Sequence, residues 1–161
     1  MRQFLFFSIL YFLLISCNQN PGEINSKLGI ETLIKYDSTM AYEFGADEYG
    51  MKQYVMAFLK RGPNRSQDST TAANLQRAHL DNITRLANEG KLVLAGPFLD
   101  NGELRGIYIF NVKSVDEAKQ LTDTDPAIKA GRLVMELHPW YGSAALMNVN
   151  DLHKKLSKKE I

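Results

Sequence analysis

Apolar residues are distributed along the chain in a pattern that predicts four β-strands between residues 51 and 141. Residues 54–59 are apolar at both alternating sets of positions, which indicates a strand with neither face exposed to water. The same two-sided pattern occurs at residues 106–112. The other two strands are predicted at residues 92–98 and 133–137, and the last of them is expected to end at His138-Pro139-Trp140.

Two amphipathic helices are predicted between these strands. The first runs from about Ala72 to Glu89, and Gly90 is expected to end it with a left-handed cap. The second begins after Ser114, because Ser114 and Glu117 have the spacing of a capping box. A further short helical turn is predicted to begin at Asp125-Pro126.

The resulting order is β-α-β-β-α-β, which predicts an α+β, ferredoxin-like fold with an antiparallel sheet. Pro97, near the end of the second strand, has no N–H to donate to a sheet ladder, so this strand is expected at a sheet edge. Both helices lie on one face of such a sheet, and the other apolar face also needs a cover. The cover is a second subunit, the C-terminal segment, or both. We favour a homodimer packed sheet to sheet.

The N-terminus has the pattern of an export signal. Arg2 is followed by an apolar run from Phe4 to Ile15, which is too short to cross a bilayer and suits the core of a secretory signal. The run ends in Leu14-Ile15-Ser16-Cys17, which closely resembles the bacterial lipobox. In such signals the cysteine is acylated and becomes the first mature residue. We therefore predict a lipoprotein of the cell envelope, anchored to a membrane through Cys17 and facing the periplasm or the cell surface.

These patterns divide the chain into four regions. They are a lipoprotein signal peptide (1–16), a tether with a short N-terminal helical segment (17–50), the ferredoxin-fold domain (51–141) and a helical C-terminal tail (142–161). In the second region, Asp37 or Ser38 is expected to cap a helix that Gly45 ends. Cys17 is the only cysteine, so the chain has no internal disulfide and no cysteine-based metal site.

Charge and composition exclude several classes of function. The 161 residues include 19 lysines and arginines and 18 aspartates and glutamates, so the overall charge does not favour nucleic acid as a partner. The basic cluster at Lys154, Lys155, Lys158 and Lys159 is interpreted as a solvated helical tail. No local spacing of ligands suits a metal ion, and no phosphate-binding loop is present. We expect no cofactor.

His79 is the main candidate for chemistry, because it lies on the apolar stripe of the first helix with Leu75, Ile83 and Leu86. A buried polar group needs a partner, and Asp125 is the candidate. A carboxylate bonded to one ring nitrogen fixes the tautomer and leaves the other nitrogen to exchange protons. The competing interpretation is a core histidine with a structural role.

The two other histidines are weaker candidates. His138 is interpreted as a packing group at the end of a strand, and His153 as a solvated residue of the tail.

A set of short motifs in the region from about Lys52 to Trp140 resembles the YciI-like (YCII-related) family, a branch of the dimeric α+β barrel proteins. The motifs are Ala78-His79-Leu80, Glu89-Gly90-Lys91-Leu92, Leu94-Ala95-Gly96-Pro97, Asp125-Pro126, Lys129-Ala130-Gly131 and Pro139-Trp140. The resemblance implies a ferredoxin-like dimer with a catalytic pair formed by His79 and Asp125. It also implies small cyclic or aromatic substrates, since members or relatives isomerise or dechlorinate such compounds.

The chain departs from the family pattern at two positions. Ala127 stands where the family often has an aromatic residue, which predicts a wider pocket. Arg77 is displaced from the arginine of the family's Arg-Pro-Ala-His stretch, so no role is assigned to it.

Three hypotheses about function follow. The first is an envelope enzyme that uses His79 and Asp125 to transfer protons on a small, partly apolar molecule. The second is a non-catalytic module that binds a small ligand or another partner. In the third, the pair only stabilises the fold.

Overall fold

The computed structural model describes residues 35–159. The predicted signal peptide, most of the tether and Cys17 lie outside the described residues. The strands are β1 (Met51–Arg61), β2 (Leu92–Pro97), β3 (Leu104–Phe110) and β4 (Leu133–Ser143). The helices are α1 (Ser38–Phe44), α2 (Ser69–Asn88), α3 (Val115–Thr122), α4 (Pro126–Lys129), a 3₁₀ helix (Ala144–Asn148) and α5 (Val149–Leu156).

The four strands form one antiparallel sheet in the order β2-β3-β1-β4. Together with the order of the helices, this confirms the α+β, ferredoxin-like fold. Pro97 is the last residue of β2, and β2 is an edge strand as its proline requires.

Side-chain caps explain where the helices begin. Asp37 accepts a hydrogen bond from the Met40 N–H at the start of α1, which ends at Gly45 with φ of 67°. Helix α2 begins at Ser69, three residues before the predicted start, because Asp68 caps it by accepting from the N–H of Thr71. Gly90 follows α2 with φ of 68°, a left-handed conformation that favours glycine.

The capping box predicted at the start of α3 is half formed. Ser114 Oγ accepts from the N–H of Glu117 at 3.1 Å, as expected. The carboxylate of Glu117 accepts instead from the N–H of Lys113 at 3.3 Å.

Strand β4 is longer than the sequence predicted. It continues through His138, Pro139 and Trp140 to Ser143, and it pairs with β1 along its full length. The prediction that it ends at these residues is wrong, because β4 is an edge strand. An edge position tolerates the missing N–H of Pro139.

The sheet separates two groups of buried apolar side chains. Residues of α2 and α3 cover the first group, whose buried members are Val55, Ala57, Leu59, Leu86, Leu92, Tyr108, Phe110, Val112 and Ala118. The second group lies on the opposite face around Tyr54, Val93 and Ile109. Leu146 and Met147 of the 3₁₀ helix pack against it. The C-terminal segment is therefore part of the predicted cover.

That cover does not extend over the whole of the second face. Phe58 and Ile107, which are register partners there, are only half-buried. The side chain of Val134 on β4 is 45% exposed. None of the helices among residues 35–159 is long and apolar enough to cross a membrane.

Candidate functional site

The fold brings His79 and Asp125 into direct contact. His79 is 5% exposed on the inward face of α2, and Asp125 is fully buried at the start of α4. The Nδ1 atom of His79 lies 2.6 Å from Oδ2 of Asp125. The pair predicted from the sequence is thus formed.

The second carboxylate oxygen of Asp125 holds the start of α4. Oδ1 accepts hydrogen bonds from the N–H of Ala127 at 2.8 Å and of Ile128 at 3.4 Å. Pro126 occupies the first position of this helix, where its missing N–H costs nothing. Asp125 therefore caps a helix with one oxygen and orients the imidazole with the other.

Tyr108 completes the arrangement and was not singled out by the sequence analysis. Its hydroxyl oxygen lies 3.3 Å from Nε2 of His79, and its ring stacks on the imidazole with ring centroids 6.3 Å apart. The alternation of side chains along β3 puts Tyr108 on the side of the sheet that faces α2. This alternation was the sequence signal that could have placed Tyr108 near α2. Because β3 and α2 are distant in sequence, that signal did not identify His79 as its partner.

The electrostatic environment of Tyr108 keeps its hydroxyl protonated. Burial raises the pKa of Tyr108 above its ordinary value, and the negative charge of Asp125 raises this pKa further. With Asp125 ionised, His79 donates from Nδ1–H to the carboxylate, and Nε2 accepts from the hydroxyl of Tyr108. This tautomer satisfies all three groups.

A polar link one helical turn after His79 holds α2 against the segment that carries Asp125. The hydroxyl of Thr124 lies 2.6 Å from the carbonyl oxygen of Leu121 and 3.0 Å from Oδ1 of buried Asn82, and its one proton is shared between these acceptors. Nη2 of Arg85 donates to the same Asn82 oxygen at 2.8 Å. Arg85 Nη2 also donates to the Thr124 hydroxyl at 3.0 Å. Because Thr124 directly precedes Asp125, this link helps to position the carboxylate.

A cavity of about 160 Å³ is lined by sequence neighbours of the pair, although not by His79 or Asp125 themselves. Its lining includes Gln76, one helical turn before His79, and Ala127, two residues after Asp125. The remaining lining residues are Leu133 and four arginines at positions 61, 65, 105 and 132. The four arginines could not be recognised from the sequence, because they come from separate segments and form no local motif.

A larger and more open cavity of about 490 Å³ lies elsewhere, against the beginning of β1 and the end of β4. It is lined by Gly45, Asp47, Met51, Lys52, Gln53, Pro139, Trp140 and Tyr141, none of which is a sequence neighbour of His79 or Asp125. We assign the candidate site to the smaller cavity, because its lining includes the close sequence neighbours Gln76 and Ala127.

Arg77, to which the sequence assigned no role, pairs with Asp81 on the exposed side of α2, with Nη2 2.9 Å from Oδ1. The two other histidines make contacts outside the pair. His138 is exposed on β4 and lies 2.8 Å from a carboxylate oxygen of Glu136, and its ring contacts Phe58 edge-on. It lies within the strand rather than at its end. His153 is exposed on α5, as expected for the tail.

No group of three or more histidine, aspartate or glutamate side chains among residues 35–159 is arranged to hold a metal ion.

Comparison with known proteins identifies the family. The family model of the YCII-related domain matches residues 54–141, which is more than half of the chain. Comparison with curated proteins found no match. Among solved structures, the chain is similar to 5-chloro-2-hydroxyhydroquinone dehydrochlorinase from Burkholderia phenoliruptrix AC1100, in its complex with 2,5-dihydroxybenzoquinone. The identity is 21% and the TM-score 0.41, over 53% of this chain and 92% of that chain. The chain belongs to the family of proteins that contain a YCII-related domain.

Proposed function

We propose that the protein is an enzyme in which His79 transfers a proton on a small, partly apolar molecule of the cyclic or aromatic class. The observation that carries this proposal is the buried 2.6 Å contact between His79 Nδ1 and Asp125 Oδ2, together with a cavity lined by their sequence neighbours Gln76 and Ala127. A histidine positioned in this way contributes ~100- to 10,000-fold to a proton transfer.

Each member of the arrangement has a separate role in this proposal. Asp125 fixes the tautomer of His79 and stabilises the imidazolium that forms when Nε2 takes a proton. The hydroxyl of Tyr108 occupies the hydrogen-bonding position at Nε2. Tyr108 passes its own proton to Nε2 while it accepts one from the substrate, so no free tyrosinate forms. The raised pKa of Tyr108 favours this concerted transfer over full ionisation of the phenol.

The size of the cavity supports a small substrate. An apolar cavity of about 150 Å³ in another protein is large enough to bind benzene. The cavity lined by Gln76 and Ala127 has about 160 Å³, so a molecule with one ring fits its volume. Ala127 is small and contributes to this space.

The test is exchange of substrate protons with solvent. Monocyclic ketones, phenols and quinols are incubated with the full-length protein in deuterated buffer, and uptake of deuterium at carbon is followed by NMR. We expect His79→Gln to slow the exchange ~100- to 10,000-fold while the variant remains folded and binds the same compound. His153→Gln is the matched control, because His153 is exposed on α5.

A second candidate is a non-catalytic module in which the pair only holds the fold or contacts a ligand. The specific observation in its favour is that the buried side-chain polar atoms of residues 35–159 all have partners, including those of His79 and Asp125. Ligand binding without any exchange in the wild-type protein supports a binding module. Loss of folding in His79→Gln, with no exchange and no binding in the wild type, supports a purely structural pair.

We further propose that the protein is a homodimer joined through the uncovered part of the second sheet face. Phe58, Ile107 and Val134 are apolar there and only partly covered. An apolar surface on a sheet favours association. Lys60 and Glu136 form an ion pair on the same face and add a polar component to this surface.

We also propose that the protein is an envelope lipoprotein attached to a membrane through Cys17. The support is the sequence Leu14-Ile15-Ser16-Cys17 directly after the apolar run. Several acyl chains on one cysteine hold a protein firmly, at about 0.8 kcal/mol for each buried methylene.

A further inference from the structure

We propose that the cavity of about 160 Å³ binds a small organic anion through the four guanidinium groups of Arg61, Arg65, Arg105 and Arg132, here called the arginine cluster. The inference deepens the proposed function by naming a class of substrate. It rests on that function only where it identifies the bound anion with the molecule that receives or loses the proton. Binding of the anion by itself does not require turnover.

The tertiary fold assembles the arginine cluster at one end of the sheet. Arg61 is the last residue of β1 and Arg132 immediately precedes β4, which pairs with it in antiparallel fashion. Arg105 is near the start of β3, on the other side of β1. Arg65 follows in the loop between β1 and α2. The arginine cluster therefore depends on the pairing of β1 with β3 and with β4.

The backbone at Gly62 fixes two of these positions relative to each other. The N–H of Gly62 donates to the carbonyl oxygen of Arg132 at 2.8 Å. A Cβ atom at position 62 would lie 2.2 Å from the carbonyl oxygen of Gly131, so only glycine allows this approach. Arg61 and Arg132 are consequently held next to each other by main-chain contacts.

The arginine cluster carries more positive charge than its neighbours neutralise. In the part of the chain that the structure describes, Glu103 is the one carboxylate that pairs with a member of the cluster. Its Oε1 lies 3.5 Å from Nε of Arg61, and the Glu103 side chain is 81% exposed. Four cations thus face one peripheral anion, and the cavity attracts a further negative charge.

The other three arginines are oriented by neutral acceptors. Arg65 Nη1 donates to the carbonyl oxygen of Arg132 at 3.2 Å, and Arg132 Nη1 donates to Oε1 of Gln67 at 2.7 Å. Arg105 Nη1 donates to the carbonyl oxygens of Asp100 and Gly102. These bonds orient the guanidinium groups without neutralising their charge. Each group keeps further N–H donors for a ligand.

Mutual repulsion within the cluster is visible at Arg65. Desolvation and then the charges of Arg132, Arg61 and Arg105 lower the pKa of Arg65. An anion between these groups relieves that repulsion. Guanidinium groups bind carboxylate and phosphate oxygens in a bidentate geometry, which makes an oxyanion the matching ligand.

The cavity also limits the size and character of the anion. About 160 Å³ holds a molecule with a single ring, and Ala127 and Leu133 give the lining an apolar portion. Gln76 adds a neutral polar group on the side of α2. A carboxylate attached to one ring satisfies both portions of the lining. Gln76 and Ala127 are the lining residues that lie nearest in sequence to His79 and Asp125.

The experiment is isothermal titration of the full-length protein, purified in detergent, with benzoate, benzamide and inorganic phosphate. Benzamide has nearly the shape of benzoate but no charge. We expect benzoate to bind about tenfold or more tightly than benzamide, and its affinity to fall as salt is added. Binding of phosphate without binding of benzoate would overturn the assignment of an organic anion.

Variants of the cluster locate the site. Arg105→Gln and Arg132→Gln lie on different segments, and each is expected to weaken benzoate binding about tenfold or more. Arg77→Gln is the matched control, because it removes the same charge from the exposed side of α2. Unchanged benzoate affinity in both cluster variants, with thermal unfolding like that of wild type, would overturn the inference.

One further variant separates this inference from the proposed function. His79→Gln is expected to bind benzoate like the wild-type protein and to lose deuterium exchange. Benzoate binding that depends on the arginine cluster, with no exchange of any compound by wild type, leaves the anion site intact and removes the enzyme proposal. Exchange that depends on His79 but not on the arginine cluster supports the enzyme proposal and removes the anion site.

Discussion

His79 Nδ1 and Asp125 Oδ2 lie 2.6 Å apart across 46 residues of sequence, in a region from which solvent is excluded. The same carboxylate caps α4 through its other oxygen. Any change at Asp125 therefore affects the orientation of the imidazole and the start of a helix together. The variants must separate these two effects.

Asp125→Ala is expected to destabilise the fold by about 3 kcal/mol, because it leaves buried donors on His79 and Ala127 without an acceptor. Asp125→Asn keeps an N-cap side chain and is expected to lose less stability while it still loses proton transfer. Urea unfolding measures the stability of both variants, and deuterium exchange measures their proton transfer. Asp68→Ala, which removes the exposed cap of α2, should cost only about 1 kcal/mol. Equal losses for Asp125→Ala and Asp68→Ala would contradict this account.

Tyr108→Phe is expected to change how stability depends on alkaline pH. The pKa of Tyr108 is raised in the folded protein. The contribution of Tyr108 to the free energy of unfolding is therefore fully present below the ordinary tyrosine pKa of about 10 and is lost as pH rises above that value. The wild-type protein should lose stability between pH 9 and 11 more steeply than the phenylalanine variant. Tyr42→Phe, an exposed tyrosine on α1, serves as control and should leave the wild-type slope unchanged.

Thr124→Val is expected to reduce deuterium exchange more than it reduces stability. The substitution removes the hydroxyl that accepts from Arg85 and contacts both Asn82 and the Leu121 carbonyl oxygen, which we expect to loosen the segment before Asp125. We expect a stability loss of about 1 kcal/mol in urea unfolding. Thr84→Val is the control, since its hydroxyl bonds only the carbonyl oxygen of Leu80 on the exposed side of α2. A Thr124 variant with wild-type exchange would show that this link does not position the pair.

Val134→Arg is expected to shift the protein from dimer to monomer. The substitution introduces a charge into the uncovered part of the second sheet face, where desolvating it opposes association. Light scattering coupled to size-exclusion chromatography gives the molar mass. Leu99→Arg, at a 98% exposed residue between β2 and β3, is the control and should leave the mass unchanged. A monomeric wild-type protein would refute the proposed dimer.

Cys17→Ser is expected to release the protein from membranes or to stop its processing, because the thiol is the proposed site of acylation. Membrane fractionation of cells that express each form provides the measurement. The wild-type protein and the Cys17→Ser variant both keep the signal sequence before position 17. If the serine variant stays in the membrane fraction and is processed normally, the lipoprotein proposal is wrong.

Local patterns were sufficient to predict the fold of residues 51–141. Alternating apolar positions identified four strands, and Pro97 correctly predicted an edge position for β2. Gly90 marked the end of the first helix through its left-handed backbone. These signals succeed because strand alternation, proline and glycine act on the backbone within a few residues.

The same local signals failed where pairing between distant segments decides the outcome. His138-Pro139-Trp140 was interpreted as the end of a strand, but pairing with β1 continues β4 to Ser143. The eleven residues of β1 offer partners along that whole length, and the edge position removes the objection to Pro139.

By itself, the sequence determined which elements form, their order, and that His79 requires a buried partner for which Asp125 is the candidate. Only the tertiary structure decided that the Tyr108 hydroxyl lies next to Nε2 of His79 and that four arginines line one cavity. The physical reason is that helix and strand periodicities extend over neighbouring residues. Contacts between side chains from different strands depend on sheet order and register, which only packing of the whole chain fixes.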